Sequence, residues 1–211
     1  MPTDMILRLF GFRPLGAGSE IDAALRAEVL PDILALDGIV DAYVARSGDG
    51  DNAERVLASI WESRAAMTAE TGESSVIGRF HPERLEDLMS SRLDILGVEV
   101  AVTFERPERP SILRIFRGEV QPGRLDEYVE EARSGAIADG ETNEGLVALY
   151  LGVDRPARFV TVSAWSSWDS IETATGGNVR SPVATRNTRL IASGAPTHYE
   201  ILPATNRPGR G

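Results

Sequence analysis

The sequence predicts an α+β fold in which one small βαββαβ unit is written twice in tandem. Three observations carry that prediction. Similar segments recur in the same order at nearly constant spacing. Each half alternates strand-like and helix-like stretches in the same sequence. A charged stretch punctuated by proline, Glu105-Arg106-Pro107-Glu108-Arg109-Pro110, separates the halves. Ile6-Leu7-Arg8-Leu9-Phe10 returns as Ile112-Leu113-Arg114-Ile115-Phe116, an offset of 106. Gly38-Ile39-Val40 and Tyr43 return as Gly145-Leu146-Val147 and Tyr150 at 107, and Ser59-Ile60-Trp61 returns as Ser163-Ala164-Trp165 at 104. Small loop insertions explain the drift, and chance matches would not keep this order. The expected domains are 1–105 and 106–211, the second with a frayed tail from about Pro203.

The elements follow in order. The opening runs, about 5–12 and 111–120, are short and rich in β-favouring residues, as buried strands are. A helix comes next. In the first copy it starts near Ser19 as N-cap, places Ile21, Leu25, Ile33 and Leu36 on one face, and is kinked by Pro31. In the second it follows Pro122-Gly123, with Leu125, Tyr128, Val129 and Ala132 at i, i+3, i+4, i+7 spacing. Gly38 and Gly145 open second strands. Tight turns at 48–52 and 154–156 return the chain through third strands ending at Trp61 and Trp165, so strands two and three are hairpin neighbours. Helices then run from Ser63 to about Thr71 and from Ser167 to about Thr175, with a further helical stretch at Pro82–Leu93. The last strands are Ile95–Glu105 and His198–Leu202.

This order is the split βαβ, or ferredoxin-like, unit, whose sheet carries helices on one face only. The natural cover for the other face in a tandem protein is the second sheet. That packing buries an interface of at least roughly 1,600 Å². The expected architecture is two ferredoxin-like units with sheets packed face to face, a dimer fused into one chain. A further homodimer stays open.

Composition excludes several functions. Hydrophobic residues make up 42% and charged residues 26%, enough for an ordinary packed core. No apolar run approaches the roughly 18 residues that span a bilayer. Met1-Pro2-Thr3-Asp4 lacks a basic region and an apolar core, so no secretory signal is expected and the expected location is cytoplasmic. A net charge of −10 repels phosphate backbones, so neither nucleic acid nor an anionic membrane is an expected partner. Cysteine is absent, and all 22 basic residues are arginine. Thiol nucleophiles, thiolate metal sites, Schiff bases and the P-loop lysine are therefore excluded. With only His81 and His198, a three-histidine metal site cannot form within one chain. No metal and no cofactor are expected.

Four segments resemble the antibiotic-biosynthesis-monooxygenase-like family of the dimeric α/β-barrel superfamily. They are the Ile-Leu-Arg-Ile-Phe opening strand at 112–116, Pro122-Gly123-Arg124-Leu125-Asp126-Glu127-Tyr128, Gly145-Leu146-Val147-Ala148-Leu149-Tyr150, and Phe159-Val160-Thr161-Val162-Ser163-Ala164-Trp165-Ser166-Ser167. The second copy matches along about 112–202; the first, about 6–104, matches more loosely, best at Val56–Ser63. The resemblance implies an intramolecular dimeric α/β barrel with a pocket between sheet and helices. It does not fix a reaction, because members include cofactor-independent oxygenases, haem-degrading enzymes and proteins without demonstrated activity.

Candidate residues follow from chemistry. His198 titrates near neutrality and is the candidate base. Trp168, present only in the second copy, is the candidate aromatic wall of the site, whereas Trp61 and Trp165 stand at equivalent positions and read as core. Arg8 and Arg114, flanked by apolar residues, need either an anionic ligand or a salt bridge to an acidic side chain. Tyr150 could donate to a quinone or phenol, though its match to Tyr43 equally fits packing. His81 follows Trp61 at a spacing similar to that of the axial histidine in the haem-degrading branch. That branch's first-strand asparagine and midway tryptophan are absent; Thr71 holds the midway position. Gly16-Ala17-Gly18-Ser19-Glu20-Ile21 lacks the third glycine of a dinucleotide loop and reads as a helix start. Three functions compete: a cofactor-independent monooxygenase or related enzyme on a small aromatic or polyketide-like substrate, a non-catalytic small-molecule-binding or assembly module, and a haem protein.

Overall fold

The computed structural model describes residues 4–71, 94–183 and 185–203. The N-terminal copy contributes β1 (Ile6–Phe12), α1 (Gly18–Ala24), α2 (Leu30–Leu34), β2 (Ile39–Ser47), β3 (Glu54–Trp61), α3 (Arg64–Thr71) and β4 (Asp94–Glu105). The C-terminal copy contributes β5 (Ile112–Val120), α4 (Leu125–Thr142), β6 (Leu146–Asp154), β7 (Arg158–Trp165), α5 (Trp168–Ala174) and β8 (Ile191–Ile201). The fold is α+β with antiparallel strand pairs, as the sequence predicts. The helix expected at Pro82–Leu93 lies outside the described residues. No helix among the described residues is long and apolar enough to cross a membrane.

Packing divides the described chain into two compact units: residues 4–71, 94–97 and 199–203, and residues 98–183 and 185–198. In the N-terminal unit β3 lies between β1 and β2, and the end of β8 pairs with β2 through Ala45↔Ile201 and Arg46↔Glu200. In the C-terminal unit β7 lies between β5 and β6, and Glu99–Glu105 of β4 runs along Ala148–Val153 of β6. Each unit's sheet therefore takes strand residues from the last strand of the other sequence copy.

The first helix differs from its expectation in two ways. Its N-cap is Ala17, which makes no side-chain cap. The Gly18 N–H instead donates to Asp51 Oδ1 at 2.9 Å, so the β2–β3 turn caps the helix from a distance. Pro31 does not break the helix. The helical backbone runs on from Gly18 to Leu34, and a π-helical turn at Leu25–Val29, just before Pro31, accommodates the proline inside it. The buried face, Ile21, Leu25, Val29, Leu30 and Ile33, packs on Phe10, Phe12, Ala42, Val44 and Leu202. α4 begins where Leu125 and Tyr128 bury against β5 and β7.

Strand alternation sends Ile112, Arg114 and Phe116 to the helix side of the C-terminal sheet and Leu113 and Ile115 to the other. That second face is buried as well: Leu113, Ile115, Val160, Val162 and Ala164 are each at most 1% exposed. The glycines before the second strands make room for the helices after the third. A Cβ on Gly38 would lie 2.5 Å from Ala66 Cβ, and one on Gly145 would lie 2.0 Å from Ser170 Oγ.

Candidate functional site in the C-terminal unit

The site is built on the β5–β7 ladder. Ile112 pairs with Trp165, Arg114 with Ser163, Phe116 with Thr161 and Gly118 with Phe159. Phe159 owes its position to Gly118, where a Cβ would lie 2.8 Å from the Phe159 ring. The Trp165 indole N–H donates to Ser163 Oγ at 2.9 Å, and Ser163 Oγ donates to the Arg114 carbonyl at 3.3 Å. On the helix side the apolar layer is split in two. One cluster gathers Phe116, Tyr128, Leu151 and Phe159; the other gathers Ile112, Leu146, Trp165 and Ile171.

Between them lies a partly open cavity of about 100 Å³. Its wall is mostly apolar, with Phe116, Phe159, Trp165, Leu146, Leu149 and Leu151 prominent. Its polar members are Arg114, Ser163, Thr161, Tyr128, Asn143, Thr185 and Asn187. The Tyr128 hydroxyl hydrogen-bonds Thr161, and burial holds its pKa well above the ordinary phenol value. A strap formed by residues 181–183 and 185–190 covers one side, presenting Pro182, Val183, Thr185 and Asn187 to the cavity. The strap is fastened to α4. Arg189 pairs with Glu131 at 2.6 and 2.7 Å and with Glu127 at 3.2 Å, and Asn187 Nδ2 donates to the Tyr128 carbonyl at 3.4 Å.

Arg114 is the charge in this wall, and it is 3% exposed. Either a ligand or a salt bridge is expected for it. Among the described residues it pairs with no carboxylate. Its Nη2 donates to the Ser181 carbonyl at 2.6 Å, its guanidinium lies 5.5 Å from the centre of the Phe116 ring, and its Nε has no partner among them. Desolvation lowers its pKa to about 10, which leaves it protonated at neutral pH.

His198 lies near Arg114 and Trp168 lies against His198, but neither lines the cavity. Trp168 opens α5 behind the Ser167 N-cap, whose Oγ accepts the Ser170 N–H at 3.2 Å. Its ring is 41% exposed and lies 5.1 Å from the His198 ring. Desolvation, with the nearby Arg114 charge second, lowers the His198 pKa to about 4. The imidazole is therefore neutral at pH 7, and its buried Nε2 has no partner among the described residues.

The other candidates lie elsewhere. Tyr150 alternates away from Leu149 and Leu151, onto the sheet face opposite the cavity, and donates to Glu105 Oε1 at 2.5 Å. Arg8 lies in the N-terminal unit, where desolvation lowers its pKa. His81 is outside the described residues. Sequence reasoning singled out neither Thr161 and Ser163 nor the strap. The first two carried a signal: Thr161 stands opposite Phe116 where Leu57 stands opposite Phe10. The strap carried none, because its contacts are long-range. Among the described residues no group of three or more His, Cys, Asp or Glu could hold a metal ion.

No family profile and no curated protein matches the chain. Solved structures match it in fold. A monooxygenase candidate from Fusobacterium nucleatum is 16% identical over 97% of this chain and 95% of that one, with a TM-score of 0.73. An anthrone oxidase-like protein is 16% identical over 100% and 99%, with a TM-score of 0.60. A ferredoxin-fold protein related to antibiotic biosynthesis monooxygenases, from Listeria monocytogenes, is 8% identical over 93% and 94%, with a TM-score of 0.55. The chain thus shares the ferredoxin-like fold of monooxygenase-related proteins along nearly its whole length, and at these identities the likeness is one of fold.

Proposed function

We propose that the chain is a cofactor-independent monooxygenase-type enzyme whose active cavity lies in the C-terminal unit and admits a small aromatic or polyketide-like substrate. The observation that carries this reading is the cavity itself. It is an apolar, aromatic-walled space between sheet and helix, covered on one side by a strap, with one buried cation and, among the described residues, no acidic side chain in its wall. Such pockets of mostly apolar lining and few polar groups are the usual form of small-molecule sites. A purely structural module would have that space filled by side chains, so the cavity favours a small-molecule site over the assembly reading.

The chemistry follows from what Arg114 and His198 offer. An activated methylene or phenol loses a proton, and the resulting anion is stabilised by the Arg114 charge in a desolvated site. His198, neutral and with no Nε2 partner among the described residues, stands beside Arg114 rather than in the cavity wall, so in this reading it accepts the proton only from a substrate that reaches the Arg114 end of the cavity. Pairing of Arg114 with the anion removes the Coulombic part of the pressure on His198 and makes it a better base. The anion then reduces dioxygen. An anthrone-type methylene loses its two hydrogens and gains one oxygen, and the second oxygen leaves as water. The test is oxygen uptake with an anthrone-type substrate. Uptake with one quinone formed per oxygen consumed, lost in Arg114→Leu and reduced about 10²-fold or more in His198→Ala, is expected. Uptake unaffected by either substitution would remove this site.

A further inference from the structure

Among the described residues two arginines are buried, and they are compensated very differently. In the N-terminal unit Arg55 is 1% exposed and fully engaged. Its Nε and Nη2 grip Asp22 at 2.9 and 3.2 Å, and its Nη1 donates to the Ala53, Asp51 and Gly50 carbonyls at 2.5, 3.0 and 3.4 Å. Arg114 is almost as buried, yet has one carbonyl and a ring face. A desolvated charge left this poorly paired is costly, and folds retain one chiefly where an anion completes it. The chain is rich in candidates for that anion, with 32 acidic residues and a net charge of −10. None of them stands among the described residues that line the cavity. Among the described residues the titratable groups that share the cavity wall with Arg114 or act on it are Tyr128, a phenol held protonated, and His198, neutral at pH 7. Among the described residues no counter-ion faces Arg114, and the open side of the cavity gives an anion a way in.

We infer that the cavity is a receptor for a small aromatic ring bearing one anionic oxygen, a phenolate, enolate or carboxylate, with Arg114 as its counter-ion. Phe116, Phe159 and Trp165 supply the apolar surface for the ring, and no acidic side chain among the described wall residues repels an anion there. This rests on the cavity being the functional site and adds the ionisation state of what it takes. A ligand that can ionise is bound as its anion, because an opposite charge within a desolvated pocket favours the charged form.

The probe is para-nitrophenol, whose phenolate absorbs visible light, so the ionisation of the bound ligand is read directly. The pKa of the bound probe is expected to fall by about one unit or more relative to the free probe. By calorimetry, benzoate is expected to bind about tenfold or more tighter than uncharged benzamide. Arg114→Leu abolishes both effects, and Arg114→Lys keeps the direction of both. An unshifted or raised probe pKa, equal affinity for benzoate and benzamide, or no saturable binding of nitrophenol and benzoate would each overturn the inference. So would a downward shift that survives Arg114→Leu with native circular dichroism. If Arg114→Leu does not fold, the wild-type pKa shift and the benzoate-to-benzamide ratio decide alone. Nitrophenolate capture without oxygen uptake on an anthrone leaves the receptor standing and sinks the oxygenase reading. Oxygen uptake with an unshifted probe does the reverse.

Discussion

In the N-terminal unit β1 and β3 pair Ile6 with Trp61, Arg8 with Ser59, Phe10 with Leu57 and Phe12 with Arg55. In the C-terminal unit β5 and β7 pair Ile112 with Trp165, Arg114 with Ser163, Phe116 with Thr161 and Gly118 with Phe159. The first two rungs are identical, down to the indole N–H that donates to the serine beside it at 3.0 Å in one unit and 2.9 Å in the other. Both hairpins also carry a bulge at the same place, between Ile39 and Asp41 and between Leu146 and Ala148. The last two rungs differ. Where the N-terminal unit sets Leu57 and Phe12 into one apolar cluster with α1 and α2, the C-terminal unit sets Thr161 and Gly118 and leaves two clusters with a cavity between. Duplication thus kept the part of the ladder that holds the sheet together and varied the part that borders the cavity in the C-terminal unit.

The shared rungs should give the largest effects and the most symmetric ones. Trp61→Ala and Trp165→Ala remove fully buried indoles and should each cost about 3–5 kcal/mol in urea unfolding. A cost confined to one of the two would break the view that the rungs do equal work. Smaller and one-sided is Gly118→Ala, which drives a Cβ against Phe159 and the Ser193 carbonyl, both 2.8 Å away. It should cost about 1–3 kcal/mol and disturb the cavity wall; a neutral result would mean that Phe159 is free to move. Smallest is a pH effect specific to the C-terminal unit. His198 has a folded pKa of about 4 against an ordinary 6.5, so between those values the unfolded chain binds more protons. Stability is full above about pH 6.5 and declines as pH falls toward 4. His198→Gln should flatten that decline in thermal melts across the interval, and an unchanged slope would place the titrating group elsewhere.

The fold was readable because its determinants are local and repeated. Offsets of 104–107 expose the duplication, hydrophobic alternation marks the strands, and the turns at 48–52 and 154–156 join neighbours that do pair. The misreadings have long-range causes. Ser19 looks like a cap, yet Asp51, from the turn preceding β3, satisfies the Gly18 N–H. β8 begins at Ile191 rather than His198, because Ala192-Ser193-Gly194-Ala195-Pro196 lacks the alternation of a strand, and Gly194 is tolerated where its Cβ would strike the Phe116 ring. The site was half legible. Arg114, as a cation in an apolar strand, announces a need for a partner, and aligning the two copies shows Thr161 against Leu57. That the partner is a carbonyl of the strap, that the Trp168 ring lies against His198, and that Tyr150 faces the other side depend on contacts and pleat that no single segment encodes.

In the proposed reading the C-terminal cavity is the site and the equivalent layer of the N-terminal unit is not. Exchanging the distinguishing residue tests it most directly: nitrophenol affinity in Thr161→Leu, which gives the cavity the N-terminal unit's filling residue, against Leu57→Thr, the mirror change. The account predicts that Thr161→Leu weakens binding about tenfold or more while Leu57→Thr leaves it unchanged. Undiminished binding in Thr161→Leu, or an equal loss in Leu57→Thr, would contradict it.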